Sequence, residues 1–154
     1  MDTNDYTRRI RYALQLDDAE ALRLITLGGL SASISDVEAW RSKDSDPGYK
    51  LCPDEAVSAL LNGLVLDRRG PPPAAADGKA RPEEPLSNNL ILKQLRIALT
   101  LRTDDVFDAI QAGGGKLAKG EVGAFFRKTD ARNYRKCGDQ VMRWFLTGLA
   151  EGRD

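Results

Sequence analysis

The stretch "YKLCPDEAVSALLNGL", which begins at Tyr49, returns as "YRKCGDQVMRWFLTGL" from Tyr134, 85 positions further on. The same offset aligns residues 4–64 with the second half of the chain, and no gap is needed. Arg11/Arg96, Ile25/Ile110, Gly28/Gly113, Gly29/Gly114, Val37/Val122, Cys52/Cys137, Asp54/Asp139 and Gly63/Gly148 are among the identical pairs. An ungapped match of this length means two copies of one folded unit, not a solenoid, whose repeats are shorter and more numerous.

Between the copies runs "DRRGPPPAAADGKARPEEPLS". Its prolines remove backbone donors and clash with a preceding turn, so regular helix is denied. The chain therefore divides into a first repeat (1–66), a semi-extended Pro/Ala-rich linker (67–88) and a second repeat (89–154).

Apolar residues recur at helical spacing throughout, and no alternating β-branched run competes. Each copy reads as four short helices. In the first copy they lie near 4–16, from Asp17 to Gly28-Gly29, from Ser35, and from Pro53 to about 66. In the second they lie near 89–101, 103–112, 119–128 and 138–150. Asp17 with Glu20, and Ser35 with Glu38, have capping-box spacing. Pro53 suits the first helical position. Glu55 and Gln140 are placed to reach back to the cap of the fourth helix. Gly63 and Gly148 are expected to let helices approach closely. A single copy has a marginal core. The expected fold is all-α, with two homologous four-helix repeats packed about a pseudo-twofold axis.

Lysines plus arginines and aspartates plus glutamates number 23 each, and histidine is absent. That removes the commonest general base and metal ligand. No CxxC or HExxH spacing is present, so neither a metal nor another cofactor is expected. No apolar run approaches the roughly 20 residues that span a bilayer, and no signal peptide is legible. A cytoplasmic location follows as the expectation. Cys52 and Cys137 could be activated at a helix N-terminus. Without a histidine to activate them, and copied into both halves, they read as small buried packing groups. "AGGGKLAKGE" (112–121) lacks phosphate-loop spacing and follows a helix, so it reads as a helix end and turn. No catalytic constellation is found, and no enzyme is expected.

Charge is unevenly shared. Residues 1–70 carry nine bases and twelve acids, whereas residues 89–154 carry twelve bases and eight acids. Lys116, Lys119, Arg127, Lys128, Arg132 and Arg135 crowd one stretch around Tyr134. They are candidate contacts for a phosphate backbone or for an acidic protein surface, within or between chains. The second and third helices fit a helix-turn-helix poorly, because their connection is long and the third helix of the first copy is acidic. Phe125 and Phe126 are adjacent, so one of them is expected to face outward or into a domain or dimer contact, and Trp144, which replaces Ala59 of the first copy, is a further candidate contact.

The motifs "DPGYKLC" and "RNYRKCGDQ", with "RYAL.L.D" and "LRIAL.L..DDV", resemble the YehS-like bacterial proteins, which carry a tandem-duplicated domain of unknown function. The resemblance covers nearly all of the chain except the linker. It implies tandem copies of one domain in a small bacterial protein, and no activity, cofactor or site residue. The expected function is non-enzymatic binding or scaffolding through protein–protein contacts or self-association. The alternative is nucleic-acid binding by the basic part of the second repeat.

Overall fold

Short polar side chains set where the helices begin. Asp2 accepts from the Asp5 N–H at 2.8 Å while the Asp5 carboxylate accepts from the Asp2 N–H, opening α1 (Thr3–Leu14). Asp17 opens α2 (Asp18–Leu27) by accepting from the Glu20 N–H. The Glu20 carboxylate does not complete the expected box, because Arg23 takes it instead. Ser33 and Asp36, not Ser35 and Glu38, form the reciprocal box of α3 (Ile34–Trp40). Pro53 is the N-cap of α4 (Asp54–Arg69), one position earlier than expected, and no side chain caps that helix. The second copy follows with α5 (Asn88–Ala98), α6 (Thr103–Ala112), α7 (Lys119–Ala124) and α8 (Asp139–Glu151). Gln140 turns to Arg143 and not to the cap of α8.

This computed structural model describes residues 1–71 and 84–152, and among them the regular elements are all helices. Residues 72–83 of the expected linker lie outside the described residues. Its first residues, 67–69, are the last turn of α4, so the linker begins later than the sequence suggests. α7 stops at Ala124, four residues short of the expected end, and its chain continues as turns.

The copies repeat each other's backbone specials. Gln15 and Thr100 are both left-handed, at φ 57° and 55°, and Gly29 and Gly114 are at φ 103° and 101°. Within each copy the second helix packs on the fourth: α2 on α4, α6 on α8. The first helices do otherwise. α1 packs chiefly against α8 of the second copy, and α5 chiefly against α4 of the first. This reciprocity is what a pseudo-twofold axis produces. It makes α1, α4, α5 and α8 a shared centre.

α1 and α8 run in the same direction. The Met1 ammonium reaches Asp139 at the start of α8, and Tyr12 shares a groove with Ala150 and Glu151 near its end. α5 and α4 are joined by Gln94 to Asn62 at 3.1 Å and by Arg69 to Thr100 at 3.2 Å. One core runs through both copies, with Ile10, Leu24, Leu60, Leu95, Ile110 and Phe145 among its fully buried members.

The second and fourth helices cross at glycine. A Cβ on Gly63 would stand 1.9 Å from the Leu24 carbonyl oxygen, and one on Gly148 1.7 Å from that of Ala109. Gly28 and Gly113 meet Ala59 and Trp144 in the same way. The backbones touch directly, as expected for Gly63 and Gly148.

Candidate functional site

The twice-written phrase is explained by an asparagine in α1 and its copy in α5. Asn4 is fully buried. Its Nδ2 donates to the carbonyls of Lys50 at 3.0 Å and Ser42 at 3.1 Å, with Ala39 at 3.4 Å, and its Oδ1 accepts from the Cys52 N–H at 2.7 Å. Asn89 repeats this on Phe125, Arg135 and Cys137. The loop from the third to the fourth helix is thus pinned by one side chain that satisfies its buried backbone groups. Sequence reasoning paired Asn4 with Asn89 but gave them no role. The signal was there: a polar residue kept in both copies beside an apolar stripe.

Both thiols are buried. Burial pushes Cys52 up to about 11 and Cys137 to about 12, and Asp139 adds to the latter. Thiolate is scarce at neutral pH, which suits packing and opposes nucleophilic use. A disulfide-exchange reagent is expected to label the folded protein at least ~100-fold more slowly than the unfolded chain, because labelling then requires opening of the fold. Stopped-flow absorbance with and without denaturant reads the ratio, and equal rates would contradict the packing role.

A polar cluster joins the copies at the start of α8. Asn88 donates to Asp139 at 2.8 Å and to the Cys137 carbonyl at 3.0 Å, and the Tyr6 hydroxyl bonds Asn88 and Asp139. The hydrogen bond from Asn88, followed by that from the terminal ammonium, holds the Asp139 carboxyl down at about 2. Burial and the Asp139 charge push the Tyr6 phenol well above its ordinary range. Tyr6 aligns with Ile91, so the cluster is not copied at the other junction.

The six candidate cations lie on two segments of the second repeat. Lys116 lies within the connection from α6 to α7, Lys119 opens α7, and Arg127, Lys128, Arg132 and Arg135 lie on the loop before α8. Lys119 is 3.7 Å from Asp104 and stands over the Phe107 ring. Arg135 pairs with Glu121 at 2.9 Å, and Arg127 donates to the Asn133 carbonyl. Lys116, Lys128 and Arg132 are exposed, and among the described residues their side chains make no hydrogen bond or ion pair. Of the six, Arg127 and Lys128 meet in one groove of about 460 Å³, beside Lys93, Phe126 and Tyr134, with Glu84 and Asp130 as its acids. Among the described residues both of these ion pairs stay inside the second repeat, and none of the six cations pairs with an acid of the first.

Of the aromatic contact candidates, Phe125 is buried, and Phe126 and Trp144 are half-buried. Phe126 is half-buried under Arg96, whose guanidinium carbon is 4.1 Å from the ring centre. Trp144 packs on the glycines that end α6; a Cβ on Gly115 would come within 2.7 Å of its ring. In the first copy an arginine and an aspartate stand where Phe126 and Thr103 stand in the second. There Arg11 and Arg41 both bond the Asp18 carboxylate, at 2.6 Å and 2.8 Å. The hydrogen bond from Arg41, with that from Arg11, holds Asp18 below the usual carboxylate range.

A protein family described as "Protein of unknown function (DUF1456)" matches residues 3–70 and 88–153, once for each copy. The chain belongs to this family. It is 37% identical over 150 residues to "Uncharacterized protein YehS" of Escherichia coli (strain K12), covering 97% of this chain and 95% of that protein. No solved structure matches. The DUF1456 match over two segments agrees with the duplicated, all-helical architecture. Among the described residues no helix is long and apolar enough to cross a membrane.

Proposed function

We propose that this DUF1456 protein is a non-enzymatic binding protein that docks an acidic protein surface through the basic loops of its second repeat. The observation that carries the reading is that Lys116, Lys128 and Arg132 are exposed and unengaged, while neighbouring cations are paired locally. Exposed charges of one sign steer encounter and select partners more than they add affinity. A complementary surface exists on the chain itself: Glu38, Asp44, Asp54 and Glu55 of the first repeat are exposed. Self-association, with the second repeat of one copy against the first repeat of another, is the form of this proposal that can be tested without a partner in hand.

Light scattering at increasing concentration is expected to show mass growth at 50 mM salt that fades by 500 mM, since exposed pairs are screened. Reversal of Lys116, Lys128 and Arg132 to glutamate is expected to weaken the association about tenfold or more. A mass that ignores salt and the reversal would remove the proposal.

A second reading is supported by Tyr134 sharing the groove with Arg127 and Lys128. Stacking platforms beside cations are how single-stranded nucleic acid is held without sequence preference. That reading predicts oligonucleotide binding whose logarithm falls linearly with the logarithm of salt.

A further inference from the structure

We infer that the first repeat carries an oxyanion site, fitted to a phosphoryl group, where Arg8, Arg11 and Arg41 meet beside the end of α1. The three arginines line a groove of about 570 Å³ with Gln15, Leu16 and Asp17. Arg11 is only 7% exposed. Its Nε donates to the Leu16 carbonyl at 3.2 Å and its Nη2 to Asp18 at 2.6 Å. Its Nη1 is buried with no acceptor, the one buried side-chain nitrogen or oxygen so placed among the described residues. A buried donor on a charged group is costly to leave unpaired, and each such group calls for an explanation.

The acids nearby do not supply the missing acceptor. Asp18 is shared: Oδ1 accepts from Arg11 and Arg41, and Oδ2 from Arg41 alone. Asp5 pairs with Arg8, and Asp17 caps α2. Arg8 also donates to the Ser42 and Arg41 carbonyls, which fixes its guanidinium at the groove. What is lacking is one acceptor for Arg11 Nη1, and an anion seated in the groove could supply it while reaching Arg8 and Arg41 as well. Arginine forks match phosphate oxygens in this way, and a phosphoryl group offers three. The groove is larger than a bare phosphate, so there is space for the group that bears it. Nη1 is closed to solvent, so half-exposed Arg41 must shift to admit the anion and then share it.

The second copy meets the same need without a ligand. Arg96 aligns with Arg11, Thr103 with Asp18 and Phe126 with Arg41, and the cation of Arg96 rests on the Phe126 ring. The site is thus a property of the first repeat, separate from the basic loops of the second.

The test is thermal unfolding of the whole chain with inorganic phosphate titrated at constant ionic strength. For the natural chain a saturating rise is expected, about 3–6 °C when phosphate is tenfold above its dissociation constant. The double change Asp18→Thr with Arg41→Phe writes the second copy's solution into the first. It is expected to leave only the shallow, non-saturating rise that phosphate gives any protein. Arg41→Gln, a change at a half-exposed residue, is the second variant and is expected to weaken phosphate binding at least tenfold, like the loss of a charge-assisted pair. No saturating rise in the natural chain would overturn the site and leave an ordered water as the partner of Nη1. An equal saturating rise in the variants would overturn it as well.

Discussion

A chain cut to residues 1–70 is expected not to fold as a monomer, although it holds a complete copy of the repeat. Each copy's first helix packs chiefly against the fourth helix of the other. Cutting between the copies removes α8 from beside α1, and the face of α1 that buries Tyr6 and Ile10 loses its partner. A unit of this size has little stability to lose. Circular dichroism at micromolar concentration is expected to show less than about a tenth of the fragment folded. Addition of residues 84–152 is expected to restore the helical signal at one-to-one stoichiometry. Pairing of two identical first repeats is expected to be weaker, because Asn88 has no counterpart there: Thr3 occupies that position. A cooperative unfolding transition in a fragment shown by sedimentation to be monomeric would refute the exchange of first helices.

Gly63→Ala is expected to destabilise the protein by about 3 kcal/mol or more, the upper range for overpacking. Intrinsic helix propensity predicts the opposite sign, since alanine in a helix interior is favoured over glycine by about 1 kcal/mol. The structure decides between them. The added carbon would stand 1.9 Å from a backbone oxygen of α2, and a backbone cannot swing aside as a long side chain can. Gly148→Ala is expected to behave alike, with the Ala109 oxygen at 1.7 Å. In a chain of this size the loss corresponds to a fall of about 6–12 °C in Tm. A scan showing either variant at or above the natural Tm would mean the helices can separate at little cost.

The architecture was legible because a duplicated pattern carries its own control: what appears at both Gly63 and Gly148 is not accidental. Helix type followed from periodicity, and the close glycine contact from its recurrence. Capping was less legible. "SASISD" offers three serines around the start of α3, and backbone geometry, not spacing, chose Ser33. The reciprocal packing of α1 and α5 was not legible, since an apolar stripe does not say which copy of a partner helix it meets. The clamp by Asn4 was hidden for a related reason: its partners lie 35 to 48 residues away, on backbone atoms that any sequence provides. Of the six candidate cations, the chain alone could not separate those held by Asp104 and Glu121 from those left exposed.

The shared direction of α4 and α5 has a consequence for the chain that joins them. Arg69, ending α4, lies beside Thr100, just past the end of α5, whereas the next helix must start at the opposite end. The two ends to be joined therefore stand about the length of α5 apart, roughly 20 Å at 1.5 Å per residue. A tight turn has no such reach; about six extended residues do. Residues 70–87 exceed that need in number, so trimming within them is expected to be tolerated until the span can no longer be bridged. Below that length one molecule is expected to complete its bundle only by borrowing a repeat from a second, so that size-exclusion chromatography would find an intertwined pair in place of a monomer.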